Sequence, residues 1–478
     1  MTKYNHNYDV IIVGAGPAGI FTALSLVRLG LKQNNYLKIL IIEKGATIHE
    51  RIRNREKGDK DIIHGWGGAG AFSDGKLTLS VDVGGSLSQF IPLEQLEKNL
   101  IEVEKTYIEF GADKSRLLSG KSVQTNKLRK QALQYGIHLL PYRLLHIGTD
   151  NSVKILDAFY QYLDSQKNVT ILFGETATHI LTQEDHVIGV QTDKGNYYSL
   201  YVTIGVGRAG AHWLRKEAEK LGLELQSNPV DIGVRVEVPA EITSHLTDLL
   251  YEFKCHFYAP TFDQDCRTFC VVPNGEVVRE IAYGENGEQW VTVNGHAYAS
   301  RDQHTPNTNF AILVSSSFTQ PFNDPIAFGR SICKLANLLS NGEVIIQRLT
   351  DLKRGRRSTP SRIKRSIISP TLKSAVPGDL SFVLPYRHLT SILEMIKALD
   401  NIIPGINSNN TFLYGIETKY YSNQLQLTEE LETKIKGLFA MGDGAGVTRS
   451  LAHASLSGII VAKAINSRYN PNPVSNST

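Results

Sequence analysis

The sequence predicts an α/β fold: a parallel, doubly wound sheet interrupted by an inserted α+β domain. Three observations carry that expectation. Tyr8-Asp9-Val10-Ile11-Ile12-Val13 is a short apolar run rich in β-branched residues, followed by a glycine-spaced turn and an amphipathic stretch from Ile20 to Leu29. That order reads as strand, tight turn, helix. A second apolar run, Lys38-Ile39-Leu40-Ile41-Ile42, ends in Glu43. Far downstream, Gly437 to Ile465 returns to strand, glycine turn and helix after a long interval without that rhythm.

The first turn has a chemical reading. In Gly14-Ala15-Gly16-Pro17-Ala18-Gly19, Gly14 allows the turn, Gly16 lets backbone approach a pyrophosphate, and Gly19 lets the helix pack against the strand. The helix start, with Pro17 and Ala18, offers N–H groups and a positive dipole end to phosphate. Glu43 lies 27 positions after Gly16, where an acid at a strand end accepts hydrogen bonds from a ribose, with Lys44 beside it.

Composition narrows the class. A chain of 478 residues is too long for one core and implies two or three domains. A net charge of +4 at this length does not by itself argue for nucleic acid or membrane. The first seven residues are polar and no run of eighteen apolar residues exists, so neither a secretory signal nor a bilayer span is expected. Four cysteines, Cys255, Cys266, Cys270 and Cys333, are too few for a disulfide framework. Cys255-His256 with Cys266 and Cys270 lacks zinc-ligand spacing, so reduced thiols, no metal and a cytoplasmic location are expected.

Organisation is discontinuous. A glycine-rich loop runs from Lys44 to about Phe90, long enough to be functional. Helical periodicity follows in Leu93–Phe110 and Val153–Leu163, and Val169–Gly174 reads as a strand. Ala177–Leu181, Val187–Thr192 and Tyr197–Val202 form an expected antiparallel meander. The expected domains are 1–233, a substrate or cap domain at 234–408, and 409–478 completing the first. A polar tail after Arg468 is expected to be disordered.

Gly437-Leu438-Phe439-Ala440-Met441-Gly442-Asp443-Gly444-Ala445-Gly446 ends a strand in Gly-Asp. Together with the opening fingerprint and Glu43 it resembles the two-dinucleotide-binding-domain flavoproteins. That likeness implies a Rossmann-type domain with non-covalent FAD, Asp443 on the ribityl chain, Gly442 and Gly446 in the turn, and a following helix aimed at the flavin. His64-Gly65-Trp66-Gly67-Gly68-Ala69-Gly70-Ala71-Phe72-Ser73-Asp74-Gly75-Lys76 has small residues that let backbone press on a flat ligand. With His146–Asp150, Gly207–Ala211, Pro273–Gly275 and Gly355–Pro360, it resembles the bacterial FAD-utilising dehydrogenases nearly end to end. The resemblance implies that Gly68, Gly70 and Ser73 lie at the cofactor and Lys76 at its electron-accepting edge. Many relatives carry cysteines just before this loop, whereas Arg55 to His64 has none, so no thiol redox role is expected.

Gly205-Val206-Gly207-Arg208-Ala209-Gly210 is a second G-x-G-x-x-G, with Glu224 nineteen residues after Gly205. It serves either the return strand of the FAD domain, with Gly207 at the cofactor, or a site for NAD(P)H, which could also act as a transient donor. The histidines His64, His146, His296 and His453 are acid/base candidates, and His453 stands foremost because it begins the helix after Gly-Asp. The basic run from Lys353 to Arg365 reads as a solvated face, with an anionic substrate held by Arg356 or Arg357 as the sharper idea. The expected activity is hydride transfer between flavin N5 and a carbon of a small or medium organic substrate. The rivals are a flavin monooxygenase, of whose second fingerprint Asp231-Ile232-Gly233-Val234-Arg235 is a partial echo, and a flavin-carrying protein that binds RNA or another partner. Oligomeric state is not legible.

Overall fold

The computed structural model describes residues 7–57, 63–72, 75–283, 288–297 and 301–469. Ser73, Asp74 and the tail from residue 470 lie outside them. The chain divides into two compact units, one of residues 1–117, 143–228 and 421–478, the other of 118–142 and 229–420. The divisions therefore fall at 228/229 and 420/421 rather than at 233/234 and 408/409. Residues 118–142 belong to the second unit because the strand Ile137–Leu140 pairs with Lys254–Ala259 at that unit's sheet edge. One helix, Val123–Leu133, and one short strand carry too little pattern to show that excursion.

The first unit is an α/β Rossmann-type layer. Strand β1 (Tyr8–Val13) pairs in parallel with β2 (Ile39–Glu43) on one side and with Asn196–Ile204 on the other. Val169–Phe173 extends the sheet beyond β2, and Leu438–Ala440 extends it beyond Asn196–Ile204, both in parallel. The strands Ala177–Gln183 and His186–Thr192 form the antiparallel meander that leads into Asn196–Ile204. All five residues of β2 are buried, as a strand covered on both faces must be. Helix α1 (Pro17–Gln33) and the helix Leu451–Arg468 cross closely where a Cβ added at Gly458 would lie 2.2 Å from the Ala18 carbonyl oxygen.

The described part of the long segment after Glu43 carries secondary structure that a loop reading did not include. It contains a helix at Ile48–Glu56, a 3-10 turn at Gly68–Gly70 and a strand at Lys76–Leu79 paired with Arg143–His146. Trp66 anchors it, fully buried, with its indole N–H donating 2.8 Å to the Leu156 carbonyl.

The second unit is built on an eight-stranded sheet whose central strand, Val230–Pro239, lies between Phe412–Lys419 and Asn307–Ser316, antiparallel to both. Val230, Ile232, Val234, Val236 and Val238 enter one apolar core with the helices Pro325–Ser340 and Tyr386–Leu399. The basic run is largely tied down within this unit. Arg356 Nε donates 2.9 Å to the buried Asp351, Arg362 lies 3.9 Å from the same carboxylate, and Arg362 also donates to the Arg357 carbonyl. Arg356 is thus held to Asp351 through Nε, with its side chain 40% exposed.

Candidate cofactor site

The parallel strands of the first unit run the same way, so the turns that follow them gather at one edge of the sheet. β1 and Asn196–Ile204 are neighbours whose continuing chains leave in different directions, the switch point where open α/β sheets bind ligands. Gly14 holds φ +99°, and a Cβ there would lie 2.8 Å from the Gly205 carbonyl oxygen, so the turns of the two glycine motifs pack together. Gly19 is glycine for a different reason: its Cβ would sit 1.9 Å from the Gly14 carbonyl oxygen. Gly16 and Gly207 show the opposite pattern. A Cβ at either would meet no atom within 4 Å. Gly16 is the N-cap of α1, with Pro17 in the first turn and no side-chain cap. The helix start thus faces open space with its backbone donors.

Glu43, at the end of β2, is almost fully buried. Its Oε2 accepts from the Ala15 N–H at 2.8 Å, and its Oε1 from Gly45 at 2.9 Å and Gly65 at 3.0 Å. The acid therefore ties the first turn to the Gly65–Gly70 segment. An ionised carboxylate has about four acceptor positions, which leaves room for a hydroxyl. Lys44 is exposed beside it. Gly67 donates 2.8 Å to the Ala15 carbonyl, a Cβ at Gly68 would be 3.4 Å from Gly16 Cα, and one at Gly70 would be 2.4 Å from Leu451. Gly68 and Gly70 thus pack the segment between the first turn and the C-terminal helix. Arg51 clamps it from below, Nη1 donating 2.6 Å to the Trp66 carbonyl and 3.0 Å to that of Gly68. No motif signalled Arg51.

Gly442 holds φ +76°, and its Cβ would come within 3.3 Å of Ala18 Cβ, which brings the Gly-Asp turn beside the start of α1. Asp443 accepts from Thr448 Oγ1 at 2.6 Å, with Arg208 Nε 3.9 Å away. Burial raises its carboxyl above the ordinary range, while Arg208, Thr448 and Arg449 pull it down. Arg208 belongs to the second glycine motif, and its partnership with Asp443 was not foreseen. Gly446, at φ +75°, closes the turn against Asn423.

His453 is buried. Its Nε2 donates 2.7 Å to the Ser80 carbonyl, and its backbone N–H is capped by Ser450 Oγ. Burial lowers its pKa and the hydrogen bond to the Ser80 carbonyl opposes that; the carbonyl accepts the proton on Nε2. Nδ1 is buried without a partner among the described residues. Lys76 is half-buried at the start of its strand, opposite His146 in register. His296 lies in the second unit, on the strand Gln289–His296. Ser73 lies outside the described residues.

The second glycine motif does not open a further dinucleotide unit. The helix Ala211–Lys220 is followed by Leu225–Gln226, which pairs antiparallel with Gln424–Leu425 instead of joining the parallel sheet. With no parallel strand after it among the described residues, the βαβ that the alternative NAD(P)H reading would need is incomplete. A Cβ at Gly444 would lie 2.9 Å from the Gly207 carbonyl oxygen, so Gly207 stands beside the Gly-Asp turn. Among the described residues no cluster of metal-binding side chains occurs.

Residues 229–420 match the family model described as FAD-dependent protein, C-terminal domain-like. The match covers less than half of the chain. The matched span coincides with the main segment of the second unit. An uncharacterized protein of Clostridium beijerinckii is 26% identical over 485 residues, covering 96% of this chain and 81% of that one. The mitochondrial electron transfer flavoprotein-ubiquinone oxidoreductase of Arabidopsis thaliana is 49% identical over 45 residues, 9% of this chain and only 7% of that protein. Among solved structures, glycine oxidase from Geobacillus kaustophilus (13% identity, TM-score 0.38, 98% of both chains) is similar along its length. So is L-proline dehydrogenase from P. horikoshii (12% identity, TM-score 0.40, 98% of this chain and 96% of that one). At those scores neither bears on what this chain binds.

The residues present fit a flavin dinucleotide, the group named in the description of the matched family model. Open space over Gly16 and Gly207 beside an uncapped helix start suits a pyrophosphate, and the buried His453 Nδ1 has an acceptor position that no described residue fills. No helix among the described residues is long and apolar enough to cross a membrane.

Proposed function

We propose that the chain is an FAD-dependent oxidoreductase that moves a hydride between the flavin and a carbon of a small or medium organic substrate. The observation that carries this reading is the open space over Gly16 and Gly207 at the C-terminal edge of the parallel sheet. When bound there, FAD supplies the hydride chemistry, and the protein supplies orientation and electrostatics. The backbone of α1's first turn holds the pyrophosphate, and Glu43 accepts from the adenosine ribose. Asp443, oriented by Thr448, holds the ribityl chain. Gly68 and Gly70 keep the neighbouring segment thin enough for a flat ring, and Lys76 is the cation at the electron-accepting edge. His453, anchored to Ser80 through Nε2 and with Nδ1 lacking a partner among the described residues, is the acid/base candidate.

The test is made on the purified full chain. Acid precipitation releases FAD into the supernatant, and Asp443→Ala weakens flavin affinity by about ten- to a hundred-fold, the worth of a charge-assisted hydrogen bond of about 1.5–3 kcal/mol. Anaerobic mixing with candidate substrates and with NAD(P)H bleaches the flavin for the true donor. Recovery of FMN, or of no flavin after reconstitution, would remove the proposal.

A further inference from the structure

The central strand of the second unit, Val230–Pro239, alternates apolar and charged residues. An antiparallel strand of that pattern ordinarily turns its polar side to water. Here Asp231, Arg235 and Glu237, on the side opposite the apolar core, are all completely buried. Arg235 is the most heavily bonded of them. Its Nε donates 2.8 Å to Asn309 Oδ1, its Nη1 lies 3.0 and 3.1 Å from the two Glu417 oxygens, and its Nη2 donates 2.6 Å to the Cys270 carbonyl. Position 295 is kept open for that guanidinium, since a Cβ there would be 2.2 Å from Nη2.

Three further cations join this face from separate strands. Lys254 Nζ is 2.8 Å from Glu252, Lys419 Nζ is 3.1 Å from Glu417, and Arg267 pairs with Asp231. All three heads converge on one aromatic ring. Arg267 lies 5.4 Å, Lys254 5.7 Å and Lys419 5.9 Å from the centroid of Phe269. The arrangement is layered. The side chains of Asp231 and Glu417 are 0% exposed and that of Glu252 5%, whereas Lys254, Arg267 and Lys419 keep 12%, 18% and 15%. The carboxylates form the floor, and whatever enters from solvent meets ammonium and guanidinium groups around a ring.

Stability does not ask for such a face. Buried ion pairs are replaceable by apolar residues with little or no loss, so charge gathered at this cost marks a candidate site. The backbone deviates here as well: Cys270 holds φ +48°, and pairing with Asn307–Ser316 slips between Phe269 and Val272. Bulges of this kind re-aim side chains at functional positions.

We infer that this face of the second unit binds a small carboxylate, its oxygens taken by Lys254, Arg267 and Lys419 and its apolar body resting against Phe269. The site is built within the second unit and stands whatever the first unit holds.

Calorimetric titration of the full-length holoprotein with benzoate, and with uncharged benzamide, tests it. Benzoate binds with one equivalent and benzamide at least tenfold more weakly. Lys254→Met and Lys419→Met each weaken benzoate at least tenfold, while Lys254→Arg and Lys419→Arg restore most of the affinity. Equal binding of the two probes, no binding of benzoate, or Met variants that bind it like wild type would overturn the inference. A second measurement needs no variant. Cys270 is partly exposed beside Phe269, whereas Cys255, Cys266 and Cys333 are buried. Saturating benzoate slows iodoacetamide labelling of Cys270 several-fold and benzamide does not; an unchanged rate with benzoate counts against the site.

Discussion

Glu43 in the first unit and Glu417 in the second are both buried carboxylates, held by different materials. Three backbone N–H groups hold Glu43. Two side-chain cations, Arg235 and Lys419, hold Glu417. Backbone donors belong to loops whose shape is set by glycine, and removing the acid leaves neutral groups behind. Side-chain cations come from strands distant in sequence, and removing the acid leaves a buried charge unmatched. The first unit thus builds its cradle from main chain and open space, the second its charged face from mutually dependent side chains.

The largest effect expected from that contrast is at Glu417. Glu417→Gln keeps the shape and removes the charge beneath Arg235, and breaking a buried pair in this way costs about 3–5 kcal/mol. For a unit of this size that is a fall in Tm of roughly 6–20 °C by scanning calorimetry. Arg235→Leu combined with Glu417→Leu recovers part of it, because the fully buried Arg235 is no longer stranded and only the more exposed Lys419 loses its partner. Glu43→Gln keeps an acceptor for the backbone donors and costs about 1–2 kcal/mol. Should the two single variants fall equally, the distinction between main-chain and side-chain support fails.

That distinction also explains what was legible in the sequence. The cradle could be read because glycine spacing reports backbone geometry directly: Gly14, Gly16, Gly19, Glu43, Gly442 and Asp443 all meet at one sheet edge. Arg208, Thr448 and Arg51 escaped because each acts through a contact between segments far apart in the chain. The charged face was harder still. Asp231-Ile232-Gly233-Val234-Arg235 drew notice only as a partial echo of a monooxygenase fingerprint, whereas its meaning depends on Lys254, Arg267, Phe269 and Glu417 from three other strands. Alternation along 230–239 reads as a strand with one wet face, and nothing local reveals that both faces are covered. The division at 228/229 was displaced for a related reason, since the strand itself begins at Val230 and continues through the expected boundary.

Each unit also buries a histidine whose pKa burial lowers, His453 in the first and His388 in the second. His388 contacts Ser316 Oγ at 3.0 Å, and burial, aided by nearby Arg387, lowers its pKa to about 4. In the unfolded chain the same ring titrates near 6.5. The folded value is depressed, so the unfolded state takes up the proton first as pH falls. The stability associated with the neutral ring is present above pH ~6.5 and is lost progressively down to pH ~4, by about 3 kcal/mol in all. His388→Gln removes that dependence. The difference in unfolding free energy between wild type and variant, measured in urea at pH 7 and pH 4, narrows by about that amount. His453 shifts in the same direction, so His453→Gln narrows the gap with the same sign. A difference that stays constant with pH would mean His388 is charged or solvated in the native protein.

The finest discrimination comes from two glycines three residues apart. Gly19 is required by packing: an alanine methyl would collide with the Gly14 carbonyl oxygen, a backbone atom that cannot move without the whole turn. Gly19→Ala therefore lowers the stability of the flavin-free protein by about 1–3 kcal/mol, as overpacking does. Gly16 carries no such constraint, because its Cβ would meet nothing within 4 Å. Gly16→Ala should leave the flavin-free protein within about 0.5 kcal/mol of wild type. If that space is where the pyrophosphate lies, the methyl instead obstructs the ligand, and FAD affinity falls at least tenfold, a loss of about 1.4 kcal/mol or more. Calorimetry of the apoprotein and fluorescence titration with FAD separate the two effects on the same samples. A Gly16→Ala protein that binds FAD like wild type would mean the space above the helix start is ordinary solvent, and the cradle would then have to be sought elsewhere along the sheet edge.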